Sequence, residues 1–413
     1  MDLSDWLRVF DARDWPPEPE PVLLTALLLV AGALAGEFIA RMTRLPRVVG
    51  YTGAGFVAAG VGIGFAVPLA GTSRLIVDVA LALMLFDIGS RVRLRWLRFN
   101  PPLLWTSLAE AIVGGVAVFF VLEWLGIEPR VAAACAVLSM PASAAVAGRV
   151  AHELGAEGQV TDRMILLTAL NTLYAVLAMT LLRGWLESER AVDLVATAAA
   201  FGYSFVGSLL LSAVLALLVA AAARKLDLRN ESSVLLVLGL VVLAISTARL
   251  LGLSTLLVPL LAGLVLRNST QRPWVWPRHF GTAGGVLVLM LFVIVGASWS
   301  PQLLAAGGVA ALAMVLVRGL AKGSIVLLFA SWAGISSRQG LALAVTLTPL
   351  SATALVMLSE LHAAVPHVGM VAAPIMLSAV AVLELIGPIA VQAALSLADE
   401  RTLGVASRKP EVR

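Results

Sequence analysis

Cysteine, charge and histidine are scarce in this 413-residue chain, and each scarcity excludes something. The single cysteine, Cys135, lies inside an apolar stretch, so no intrachain disulfide and no cysteine metal site can form. Asp, Glu, Lys and Arg together supply 13% of the residues, about half the share of an ordinary soluble domain, so the chain is not one. There are four histidines, and His152-Glu153 lacks the second histidine of a zincin helix, so no metal site is read. No nucleophile–base pair is visible either, which argues against an enzyme. The net charge of +4 is spread over short loops, which suits membrane topology and not nucleic-acid binding.

What the chain has instead is apolar length. Hydrophobic residues make up 60% of it, and the mean hydropathy is +0.97. Windows of 18 or more apolar residues recur throughout, each long enough to cross a bilayer. About thirteen spans are predicted, beginning near Val22, Val48, Leu75, Leu103, Arg130, Arg163, Leu194, Glu231, Ser254, Thr282, Leu304, Gln339 and His367. The chain therefore reads as an all-α polytopic membrane protein with 22–397 as its transmembrane part. Residues 1–21 lack the basic start of a cleavable signal and hold the run Pro16-Pro17-Glu18-Pro19-Glu20-Pro21. The polar tail 398–413 is too short for a nucleotide-binding domain. Alternate loops hold twenty of the 29 basic residues and the opposite side seven, which puts the N-terminus outside and the C-terminus in the cytoplasm. Trp96, Trp105, Trp124, Trp185, Trp299 and Trp332 fall at span ends, as an interfacial belt would. Gly32/Gly36, Gly60/Gly64 and Gly319/Gly323 have the small-x-x-x-small spacing of close helix packing.

Two spans carry a proline in corresponding places of the two halves: Leu138-Ser139-Met140-Pro141-Ala142-Ser143 and Thr346-Leu347-Thr348-Pro349-Leu350-Ser351-Ala352-Thr353. Proline removes a backbone donor and frees a carbonyl, and hydrocarbon satisfies neither group. Paired broken segments point to a transporter's binding site. An odd number of spans allows two halves of opposite orientation, which suits an inverted repeat. The hydroxyls beside the breaks (Ser139, Ser143, Thr348, Ser351 and Thr353) are candidate ligands for an ion or solute, with Pro141 and Pro349 as the breaks.

Ionisable groups at bilayer depth are functional candidates by default. Arg318 and Lys322 stand one turn apart on one helix face and need acceptors: a carboxylate such as Glu384 or Glu110, carbonyls at a break, or a bound anion. Asn171-Thr172, mid-span, reads as interhelical glue or as part of an ion site. Asp87 and Glu37 each precede an arginine by four residues and are expected to form helix-end ion pairs, whereas Glu110 has no local partner.

Several segments resemble the monovalent cation:proton antiporter superfamily, of the sodium–proton exchanger and potassium-efflux type. Leu45-Pro46-Arg47-Val48-Val49-Gly50-Tyr51 looks like its Pro-x-x-x-Gly-Tyr helix entry, followed by Gly53 and Gly55. Ala82-Leu83-Met84-Leu85-Phe86-Asp87-Ile88-Gly89 is similar to its Leu-Phe-x-x-Gly segment. Val258-Pro259-Leu260-Leu261-Ala262-Gly263 resembles its Ala-Gly helix, Phe292-Val293-Ile294-Val295-Gly296 its Phe-x-x-x-Gly helix, and Glu384-Leu385-Ile386-Gly387-Pro388 its closing motif. The resemblance implies a sodium–proton antiporter-like fold, inverted repeats with two crossed broken helices. It would have a dimerising panel (22–98 and 231–298), a core (103–184 and 304–397) and a linker helix (194–223). It implies a homodimer in a bacterial inner membrane that exchanges a monovalent cation for a proton by alternating access, without a cofactor. The chain departs from the family at Thr172, where an aspartate is usual. Three readings follow: antiport with Glu110 or Glu384 as the acid, same-fold transport of an anion or other solute by Arg318 and Lys322, or a non-transporting scaffold.

Overall fold

The computed structural model describes residues 21–62, 71–187, 194–225, 231–269, 280–299, 301–350 and 352–401. Among them the chain is helical, and its one β-type pairing is an isolated bridge between Ala142 and Leu350. The predicted outer segment, most of the tail, Ser351, Gly64, His279 and nine of the basic loop residues (Arg8, Arg13, Arg190, Arg229, Arg272, Arg278, Arg408, Lys409 and Arg413) lie outside the described residues.

The helices are α1 (Pro21–Thr43), α2 (Arg47–Gly60), α3 (Gly71–Arg91), α4 (Leu94–Phe99), α5 (Pro101–Trp124), α6 (Pro129–Leu138), α7 (Ala144–Leu154) and α8 (Gln159–Glu187). There follow α9 (Leu194–Lys225), α10 (Glu231–Leu250), α11 (Leu257–Ser269), α12 (Phe280–Ala297), α13 (Pro301–Ala330), α14 (Ser337–Thr346), α15 (Ala352–Ala364) and α16 (Pro366–Leu397). Every predicted span start falls within four residues of a helix start. Six of the helices are long and apolar enough to cross a membrane alone, so helix length by itself does not establish thirteen crossings. The local reasons for the boundaries are visible. Proline opens α5, α6 and α16, where its missing N–H costs nothing. Ser336 and Gln339 form a capping box at α14. The arginine-rich stretch after α3, read from sequence as a loop, folds in part into the short helix α4.

Outward faces of α1, α9 and α13 leave Leu34, Leu210, Val309 and Leu320 well exposed, as lipid-facing sides should. Inward, α3, α9, α10 and α11 share one buried apolar cluster; a larger one joins α6, α7, α8, α14, α15 and α16 with parts of α2, α3, α5, α12 and α13. Helix α5 packs on α13, and α16 packs on α13, α14 and α15.

The motif glycines have a packing reason. A Cβ at Gly89 would sit 3.0 Å from the Leu264 nitrogen, and one at Gly263 would sit 2.8 Å from the Ser90 nitrogen, so α3 and α11 touch backbone to backbone. Gly55 and Gly296 do the same for α2 and α12: a Cβ on Gly55 would lie 2.7 Å from the Ala297 nitrogen. The predicted spacing pairs fare differently. Gly32 and Gly36 do meet neighbours, but Gly60 and Gly319 face open space, so close packing at those two positions is overturned. At α13, Gly308 adopts φ 41°, ψ −131° and kinks the helix.

Both expected helix-end ion pairs form, Glu37–Arg41 at 2.6 Å and Asp87–Arg91 at 2.9 Å. The start of the tail docks: Glu400 accepts 2.7 Å hydrogen bonds from the Val160 and Thr161 amides and from the Thr161 hydroxyl, capping α8. Replacing Gly263 with leucine forces α3 and α11 apart. Thermal unfolding in detergent is expected to show a loss of about 1–3 kcal/mol or outright failure to assemble, while Gly53→Leu, with nothing nearby, leaves stability within about 0.5 kcal/mol.

Candidate functional site

The two broken helices meet at their breaks. Helix α6 stops at Leu138 and α7 starts at Ala144; α14 stops at Thr346 and α15 starts at Ala352. Between them the strands of irregular backbone run antiparallel, with Ala142 bridged to Leu350 and the Ser143 amide donating to the Pro349 carbonyl at 3.0 Å. Pro141 and Pro349 thus stand at one crossing, inside protein and away from lipid, as an interrupted backbone requires.

The crossing leaves the C-terminal carbonyls of α6 and α14 without intrahelical donors. Arg318 supplies them. Its Nε donates to the Ser139 carbonyl at 2.6 Å, one terminal nitrogen donates to Thr348, and the other donates to Pro141 at 3.0 Å and Leu347 at 3.4 Å. One guanidinium therefore ties both breaks, and its positive charge lies at two negative helix ends. Lys322, one turn on, donates to the Met140 carbonyl at 2.7 Å and pairs with Glu110 at 2.9 Å. Glu110 in turn accepts from the Asn171 amide at 2.5 Å. The chain Met140–Lys322–Glu110–Asn171 joins α13, α5 and α8 beside the crossing. All of Arg318, Lys322, Glu110 and Asn171 are buried, at 2% exposure or less. Gly114 makes the room: a Cβ there would lie 2.8 Å from the Lys322 Cγ.

The two cations thus find acceptors of two of the kinds open to them, carbonyls and a carboxylate, and need no bound anion for that. The carboxylate is Glu110; Glu384 makes no ion pair and no hydrogen bond among the described residues. Thr172 is buried but bonds back to the Thr168 carbonyl at 2.9 Å. Three of the candidate hydroxyls are occupied locally. Ser139 donates to the Ala136 carbonyl at 2.7 Å, Thr348 donates to Val345 at 2.8 Å, and Ser143 caps α7 by accepting from the Val146 amide at 3.2 Å. Ser139 and Thr348 meet Arg318 through their carbonyls, the break carbonyls already named among its possible acceptors, and not through their hydroxyls. What the sequence did not disclose is that one guanidinium serves both breaks; the signal for it is a mid-span arginine facing two proline-freed helix ends. Thr353 is fully buried in the first turn of α15, and Ser351 is outside the described residues. Free capacity for a cation remains on Glu110 and on the Asn171 side-chain oxygen, which has no hydrogen bond among the described residues.

Two large cavities open between helices at opposite ends of the molecule. One, of about 850 Å³, is lined by Asp87, Arg91, His152, Asp162 and Arg267 at the α3 C-terminal and α8 N-terminal ends. The other, of about 750 Å³, is lined by Arg74, Arg183, Tyr203, Arg249 and Glu360 at their far ends. Asp78, beside the second, pairs with Arg249. Neither lining includes Glu110 or Asn171; along α8, Asn171 lies between the residues that line the one vestibule and those that line the other.

Three comparisons bear on this geometry. A family profile described as "Sodium/hydrogen exchanger, transmembrane" matches residues 25–396. No curated protein sequence matches. Two structures of the sodium proton antiporter MjNhaP1 from Methanocaldococcus jannaschii are similar in fold. One, at pH 8, has 15% identity and a TM-score of 0.61, covering 90% of this chain and 94% of that one. The other, from electron microscopy, has 14% identity and a TM-score of 0.67 with both chains covered in full.

Arg318→Lys leaves a point charge where a fork served four carbonyls. Thermal unfolding in detergent is expected to show a loss of about 2–4 kcal/mol, as buried carbonyls go unsatisfied, while Arg338→Lys at the surface changes little.

Proposed function

The chain belongs to the sodium/hydrogen exchanger family, a family of cation:proton antiporters, and on that premise we propose that Glu110 is the carboxylate at which cation and proton compete. The observation that carries this reading is the Lys322–Glu110–Asn171 chain beside the crossing. Thr172 stands where the resemblance puts an aspartate, and a threonine hydroxyl cannot exchange a proton near neutral pH. Glu110, on α5, reaches the neighbouring Asn171 and supplies the missing acid from another helix.

The cycle follows from charge. With Glu110 ionised and no cation bound, Lys322 compensates it. A sodium, lithium or potassium ion entering from a vestibule takes oxygens of Glu110 and Asn171, and Lys322 falls back on the Met140 carbonyl. A proton on Glu110 does the same work as the cation, so each expels the other. Competition at one group gives exchange without a separate coupling device. Arg318 is not part of the exchange; it keeps the two half-helices joined while the site changes its contents.

Access alternates when a core, 103–184 and 304–397, moves against a panel, 22–98 and 231–298, across the linker helix 194–223. The two vestibules, each lined by residues of both groups of helices, support that division. In this reading the protein is a homodimer of a bacterial inner membrane, with the N-terminus outside and the C-terminus cytoplasmic. The vestibule at Asp87 and Asp162 is then the cytoplasmic one. Ser139, Ser143 and Thr348 shape the site by holding backbone, and no ligand role is assigned to their hydroxyls.

In everted vesicles with a pH dye, addition of sodium, potassium or lithium is expected to dissipate an imposed proton gradient, and Glu110→Gln to slow it at least about ten-fold, equivalent to roughly 1.4 kcal/mol. No response to any of the three ions between about pH 6 and 9 overturns antiport. Wild-type rates in Glu110→Gln overturn the assignment of Glu110.

A further inference from the structure

A second carboxyl lies on the other side of the breaks. Glu384, on α16, is fully buried, and neither of its oxygens makes a hydrogen bond among the described residues. The backbone N–H of Ala352, first residue of α15, faces it without closing to hydrogen-bond geometry. One turn further along α16, Gly387 lies against the second break: a Cβ there would come 2.8 Å from the Pro349 Cβ. So the turn of α16 that bears Glu384 is pressed onto the segment joining α14 to α15. The 13-residue helix α15 presents its N-terminal amides, with their partial positive charge, towards that carboxyl.

No charged side chain on the surrounding helices is paired with it. On α13, Arg318 is committed to the break carbonyls and Lys322 to Glu110 and Met140. On α7, Arg149 pairs with Glu153; on α14, Arg338 pairs with Asp399; on α15, Glu360 lines the far vestibule. A bare carboxylate in such a place costs several kcal/mol. Two states relieve that cost. Either the carboxyl carries a proton, or it is ionised and draws in the α15 amides as a helix-capping anion. The first state leaves the start of α15 loosely held; the second ties it to α16. The change needs only a proton leaving the carboxyl oxygen for water and a hydrogen bond from the Ala352 N–H forming in its place.

We propose that Glu384 is a second proton-linked carboxyl of the transport cycle, distinct from the Glu110–Lys322 pair, whose protonation state sets how firmly α15 is held at the crossing. This rests on the antiport reading above. Glu384 touches neither cation nor Glu110, and so acts as a positioning residue.

The test compares reconstituted wild type with Glu384→Gln, Glu384→Asp and Glu110→Gln, measuring the pH profile of sodium-driven proton flux and the infrared stretch of protonated carboxyl groups as pH is varied. Expected is a pH-dependent protonated-carboxyl band that persists in Glu110→Gln and is lost in Glu384→Gln. Glu384→Gln keeps sodium-driven flux, but its pH profile loses one titrating step; Glu384→Asp restores the step and shifts the band. A band and profile in Glu384→Gln that overlay the wild type overturn the proposal. Should Glu384→Gln fail to fold, Glu384→Asp decides: an unshifted band overturns the proposal, and a shifted one supports it. Absence of sodium, potassium and lithium flux in the wild type sinks antiport itself, and the infrared band still shows whether Glu384 titrates.

Discussion

A membrane helix that stops halfway must put its last carbonyls somewhere, and here a single guanidinium takes those of two such helices. Arg318 donates to Ser139 and Pro141 on one break and to Leu347 and Thr348 on the other. Hydrocarbon offers no substitute. Without that fork, two interrupted backbones could not coexist in the bilayer interior, and there would be no polar crossing for a site to occupy. Arginine suits the position because its donors lie in one rigid plane, and because its charge is welcome between two helix C-termini.

The same constraint sorts the other polar groups. Lys322 is one turn from Arg318 and cannot also be served by helix ends alone, so it holds Glu110, and Glu110 holds Asn171. Hydroxyls near the breaks tie up their own half-helix, which keeps the irregular backbone from demanding water. What remains unsatisfied is then meaningful: oxygen capacity on Glu110 and Asn171, and a whole carboxyl at Glu384. Groups left short of partners in a dry interior are where an incoming ion or proton gains most.

Around this centre the packing is close and repetitive. Glycines bring α3 onto α11 and α2 onto α12 at backbone contact, and these are the glycines of the motifs that resembled an antiporter family. Their recurrence reflects a steric need, since any side chain there strikes a neighbouring main chain. The vestibules at opposite ends, each lined with charged side chains, suit a carrier whose centre is reached from one side at a time.

Much of this was legible in the chain itself. Apolar length dictates spanning helices, and proline in mid-span dictates a break, because both follow from local covalent geometry and the absence of water in hydrocarbon. The pairing of Asp87 with Arg91 and of Glu37 with Arg41 follows from helical spacing alone. The partner of Lys322 did not, because Glu110 is 212 positions away and Glu384 offered the same chemistry at 62. Nor could spacing tell Gly60 and Gly319, which face open space, from Gly89 and Gly263, which do not. Sequence by itself determined which groups could not be left in lipid; only the tertiary structure decided who satisfies whom, since hydrogen bonds and ion pairs act over a few ångströms and say nothing of distance along the chain.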